Sequence, residues 1–126
     1  NTAIPFSDAL NYLYEPHAGV LKAGFFKCAG DGMHKIASNT HLYTSEDLYT
    51  NFAGRTFEIL AMGSLDKKWI QSVLPGMKAN ISTRNFPLGA DEIRKKIQLK
   101  DGGEYTLFAF RDQSNKNKVV LGKKIL

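Results

Sequence analysis

One cysteine, Cys28, stands among 126 residues, which excludes an internal disulfide framework and suits a reducing compartment. There is no GxxxxGK(S/T) run and no GxGxxG after a strand pattern, so neither phosphate-cradling loop is present. Gly30 and Gly32 fall at an expected helix stop instead. Cys28, His17, His34 and His41 follow no zinc-ligand spacing, and no metal site is expected. Nothing in the chain assembles a nucleophile, a base and an orienting acid, so no catalytic residue is expected. No stretch approaches the ~20 apolar residues of a membrane-spanning helix, and no signal peptide opens the chain. The chain starts at Asn1 rather than methionine and reads as a piece of a longer protein or a processed product.

What is present is a core-forming composition with a lopsided charge. The length is enough for one domain, or one domain with an appendage, to bury its own core. Residues 1–54 carry three lysines against five acids, a net −2, while residues 55–126 carry fourteen basic residues against seven acids, a net +7. A basic second half suits an anionic partner, because phosphate contacts supply most non-specific affinity for nucleic acid.

Patterning divides the chain at the same place. In residues 1–50, Ser7 or Asp8 is expected to cap a short helix through Leu10 and Leu13. Pro16 opens a second helix with Val20, Leu21, Gly24, Phe25 and Cys28 on one face. A short strand is expected at 41–44, and Ser45-Glu46-Asp47 reads as one more helical turn ending by Gly54. Residues 54–126 read differently. Alternation through Phe57, Ile59 and Ala61 marks a strand. Asp66 then caps a helix that Pro75-Gly76 stops, and a strand runs from about Lys78 to Asn85. A helix packing through Ala90, Ile93 and Ile97 follows. Tyr105–Arg111, apolar on both faces, is expected to be a central strand, joined as a hairpin to Val119–Leu121. The fold expected is therefore α+β or α/β: a small β-α-β-α-β-β sandwich, helices over one sheet face, preceded by a mainly helical segment.

Two places invite a functional reading. In ISTRNFPLGADEIRKKIQL, residues 81–99, Arg84 either forks onto a phosphate or pairs with an acid, and Phe86 either stacks on a base or staples the corner. Arg94, Lys95 and Lys96 lie on the wet side of the helix that follows. In YLYEP, residues 12–16, two tyrosines flank a helix break, and Glu15 is expected to accept backbone N–H groups at the next helix start.

The blocks YLYEPHAGVLKAGFF, HLYTS, GRTFEIL and ANISTRNFPLGADEIRKKIQLKDGG occur in the order found in the C-terminal region of a group of bacterial class I S-adenosylmethionine-dependent methyltransferases. In that group the segment after the catalytic domain is THUMP-like, similar to the RNA-binding THUMP domain of tRNA-modifying enzymes. The RNFP block, the basic helix and DGG resemble the Bacteroidetes members. The resemblance implies a non-catalytic region of a cytoplasmic methyltransferase that holds ribosomal or transfer RNA. The S-adenosylmethionine site would lie in an N-terminal methyltransferase domain absent from this chain. It assigns no RNA-contacting residue here. Charge and exposure supply the candidates: Arg84, Arg94, Lys95, Lys96, Lys100, Arg111 and Lys118. The alternative is a docking module that packs on its own methyltransferase domain without touching RNA, through an apolar patch of Tyr12, Tyr14, Leu48, Tyr49 and Phe52.

Overall fold

The structure, a computed structural model, describes residues 4–17, 32–50, 52 and 54–126. Among the described residues seven strands form one sheet: β1 (Tyr12–Pro16), β2 (His34–Ala37), β3 (Thr40–Ser45), β4 (Gly54–Gly63), β5 (Asn80–Arg84), β6 (Tyr105–Arg111) and β7 (Asn117–Lys124). Their order is β2-β3-β1-β4-β7-β6-β5. Every neighbouring pair is antiparallel except β5 and β6. Two helices, α1 (Lys67–Val73) and α2 (Ala90–Ile97), are described, and both pack on the β5–β7 part of the sheet. Among the described residues no helix is long and apolar enough to cross a membrane.

Local chemistry explains the elements from β4 onward. The Asp66 carboxylate accepts the Trp69 amide at 3.2 Å and caps α1, satisfying one of the orphan donors of a helix start. Glu92 reaches back to the Gly89 amide at 3.2 Å at the start of α2. Asp91 and Glu92 sit in its first turn and Arg94, Lys95 and Lys96 in its last, the arrangement a helix dipole favours. Gln98 ends α2 in the left-handed conformation, φ 58°.

The two faces of β6 explain the layering. Leu107 and Ala109 meet Ile70, Leu74, Ile93 and Ile97 of the helices. Phe108 and Phe110 point the other way, into a second core with Leu13, Ile36, Leu42, Phe57 and Val120. The β1–β3 half of the sheet thus curls over the face that the helices leave uncovered. Hydrogen bonds hold the curl at its rim: Thr40 Oγ1 donates to the Arg111 carbonyl at 2.7 Å, and the Ser38 amide to Gln113 Oε1 at 2.9 Å.

Strand β4 joins the halves. It pairs with β1 from Gly54 to Glu58 and with β7 from Phe57 to Gly63. Its register slips between Ile59 and Ala61, opposite Gly122 and Leu121. The extra residue, Leu60, reverses which face the following side chains occupy, as a β-bulge does. Phe57 and Ile59 pack in the second core, whereas Ala61 packs under the helices. Gly54 lies so close to β1 that a Cβ there would run into the Glu15 carbonyl.

The N-terminal half departs from the expected helices. Residues 7–10 are irregular, and Leu13 lies in β1, not on a helix face. The physical reason is coverage on both sides: β1 sits between β3 and β4 with Leu13, Tyr14 and Glu15 all buried, so its apolar residues show no clean period of two. Ser45 does not cap a helix. Its hydroxyl donates to the Asp47 carbonyl at 2.6 Å and closes a bend. The expected strand at 41–44 lies inside β3, while β2 carries no signal that marked it as a strand. The helix expected through Val20 to Cys28 lies outside the described residues.

Candidate nucleic-acid interface

At the corner Arg84-Asn85-Phe86-Pro87, Arg84 is paired with an acid. The Arg84 guanidinium forms an ion pair with Glu15 of β1 and donates to Ser82 Oγ at 2.9 Å and to the Thr83 carbonyl at 2.8 Å. Ser82 Oγ in turn donates to Glu15 at 3.0 Å. Arg55 of β4 holds the other carboxylate oxygen. Among the described residues Glu15 accepts from two guanidiniums and a hydroxyl; the amides of the helix start expected after Pro16 lie outside them. Phe86 packs against the core beneath the helices.

The remaining candidates separate into two places. Arg94, on α2, bonds Asp91 at 2.9 Å and Asp101 at 3.1 Å, which ties the helix to the turn that follows it. Lys95, Lys96 and Lys100 lie exposed nearby, and among the described residues they form no ion pair. Arg111 and Lys118 sit far from these in the topology, at the β6–β7 hairpin. Arg111 bonds Asn117 at 3.2 Å, and the Lys118 ammonium lies 3.3 Å from Asp112. Burial alone would push the Asp112 carboxyl up. The Lys116 and Ser114 amides at 3.0 and 2.9 Å and the Lys118 charge outweigh it and hold the group below its usual range. Arg84 and Lys118 are both in register with Phe110 at one end of the sheet, while Lys100 is bridged to Lys78, ahead of the other end of β5.

Folding adds lysines to the α2 face that sequence spacing alone does not group with it. The Lys67 ammonium bonds Gln98 at the end of α2, which sets the first turn of α1, with exposed Lys68, beside the last turn of α2. Lys78 and Lys100 are bridged in parallel, with the Ala79 amide on the Lys100 carbonyl at 3.0 Å and the Lys100 amide on the Met77 carbonyl at 2.8 Å. The only legible signal for these additions was the basic excess of the second half.

The aromatic candidates behave differently from a surface patch. Tyr14 is fully buried, which removes it from any exposed docking face. Its hydroxyl is hydrogen-bonded with Ser45 Oγ at 2.7 Å and accepts the Tyr49 amide at 3.0 Å. Its ring lies 5.0 Å from that of Phe52 and 6.4 Å from that of Tyr49. Tyr12, Tyr49 and Phe52 are half-buried around it, and Leu48 alone of the five is exposed. Leu60 and Met62 are exposed as well, on the stretch of β4 that runs beyond the end of β1. Among the described residues no group of three histidine, cysteine, aspartate or glutamate side chains could hold a metal ion.

From β4 to β7 the element order and the helices on one sheet face make a small α+β module. Residues 54–124 match the family model described as THUMP domain-like, and the chain belongs to that family. Residues 12–52 match a model described as a ferredoxin-like domain. A solved structure described as a putative methyltransferase from Porphyromonas gingivalis superposes with a TM-score of 0.85 at 38% identity. The match covers 99% of this chain and 32% of that one, so this chain spans about a third of its relative's length. No curated protein matches the chain.

Proposed function

We propose that this chain is the non-catalytic, RNA-holding region of a class I S-adenosylmethionine-dependent RNA methyltransferase of the Bacteroidetes type. The observation that carries the reading is the cluster of exposed and half-buried lysines on α2 and its neighbours, without acid partners among the described residues, inside the stretch that matches the THUMP domain-like model. Lys95, Lys96 and Lys100, joined by Lys67, Lys68 and Lys78, meet the phosphates of a ribosomal or transfer RNA. The remainder of the enzyme, in the cytoplasm, binds S-adenosylmethionine and performs the transfer. The resemblance to a putative methyltransferase three times as long supports this division of labour.

The test is a salt titration of RNA binding. Four phosphate contacts give a slope of log K against log salt near −3 for a single strand, from about −0.7 per contact. Changing Lys95, Lys96 and Lys100 together to glutamate is expected to reduce that slope by about 2 and to weaken binding at low salt. A slope indistinguishable from zero in the unaltered chain overturns the reading. The result would then favour docking against the methyltransferase domain, for which Leu60 and Met62, exposed where β4 runs beyond the end of β1, are the supporting observation.

A further inference from the structure

The Glu15 cluster holds more positive charge than it needs for itself. One carboxylate, its side chain 5% exposed, meets two guanidiniums that are 54% and 35% exposed. Arg55 donates to Glu15 through one terminal nitrogen, and among the described residues its other nitrogens have no hydrogen-bond partner. A guanidinium presents five donors in a planar fork that matches two oxygens of a phosphate. Its plane is set here: the far side is bound to a buried acid, and the Phe57 ring lies 5.9 Å from its centre. Arg84 is fixed more firmly still, by Glu15, Ser82 and the Thr83 carbonyl. The charge around the pair is also positive. His41 is held below its usual range first by burial, then by the charges of Lys35 and Arg84. Lys35 has no acid partner among the described residues; its ammonium bonds the Ser38 carbonyl at 3.1 Å.

Two guanidiniums on one buried carboxylate leave the cluster, among the described residues, with a net positive charge that reaches water. The cluster also lies at the seam: Glu15 comes from the ferredoxin-like match, and Arg55, Ser82 and Arg84 from the THUMP domain-like match. We propose that Arg55 and Arg84 form a phosphate-binding fork at this seam, oriented by Glu15, and that it holds one backbone phosphate of the RNA. This rests on the RNA-holding reading above and adds to it a second contact, on the sheet face opposite the α2 lysines. Glu15 is a positioning residue, and the arginines make the contact.

Two variants separate positioning from simple charge. Arg55→Gln leaves Glu15 paired with Arg84. It is expected to weaken binding of a short oligouridylate about tenfold, as loss of a charge-assisted bond does, and to reduce the salt slope by about 0.7. Glu15→Gln makes the chain more positive by one, so bulk electrostatics alone would tighten binding, whereas loss of orientation weakens it. Melting temperatures confirm that each variant is folded at the temperature of measurement. In the unaltered chain, the side-chain N–H resonance of Arg55 is expected to shift with the oligouridylate more than with inorganic phosphate at equal phosphate concentration. Unchanged affinity in Arg55→Gln, tighter binding in Glu15→Gln, or an equal shift with inorganic phosphate overturns the fork and leaves the lysine face intact. No binding of the oligouridylate by the unaltered chain overturns both.

Discussion

Replacing Glu15 with alanine is expected to lower the unfolding free energy by about 2–3 kcal/mol, somewhat below the usual cost of breaking a buried ion pair because both arginines reach water. Urea unfolding, read at the transition midpoint, measures it. The carboxylate links β1 to its neighbour β4 through Arg55 and to the far edge strand β5 through Arg84 and Ser82. Its loss leaves two guanidiniums and a hydroxyl without their acceptor, at the point where the curled half of the sheet meets the other. Glu15→Gln keeps the shape and an acceptor oxygen, and costs less. A loss under about 0.5 kcal/mol for the alanine variant, within the range of ordinary surface substitutions, would mean that the arginines rehydrate freely and that the curl is held by apolar packing alone.

Phe108→Ala is expected to cost more, about 3–5 kcal/mol, the range for removing a large aromatic side chain from a core. Phe108 is fully buried and meets Phe57 edge to face with ring centres 4.7 Å apart. It lies on β6, in the core between the two halves, so the cavity opens where β1–β3 fold over β5–β7. Met62→Ala serves as the control: that side chain is exposed, and the substitution is expected to change stability by less than about 0.5 kcal/mol. Equal effects from the two variants would contradict the layering described above.

Between β4 and β7 the elements were legible because each carries its own local signal. Asp66 caps α1, Pro75 and Gly76 follow its end, and Ala90, Ile93 and Ile97 recur at helical spacing. The doubly apolar stretch of Tyr105–Arg111 marked a strand covered on both faces. The first half lacked such signals. Leu13 and Tyr14 are adjacent and both buried, which reads as easily for a helix as for an interior strand, and the proline that ends β1 also suits a helix start. The lysines of α2 were legible because they are neighbours in sequence. Lys67 and Lys78 were not, since a bond to Gln98 and a bridge to Lys100 bring them to that face. Nor was the partner of Arg84 legible, because Glu15 lies 69 residues earlier in the chain and nothing local selects it over the other acids.

The pairing of β4 with β1 on one side and β7 on the other has a consequence for how the chain can be divided. The two family matches meet between residues 52 and 54, so a cut there falls on paper between modules and in space along a hydrogen-bonded seam. Either piece alone would present a bare strand edge, the configuration from which aggregation starts. The second piece would also carry Arg55 and Arg84 without their acid. For expression and for grafting, the ferredoxin-like and THUMP-like stretches are therefore best kept as one unit.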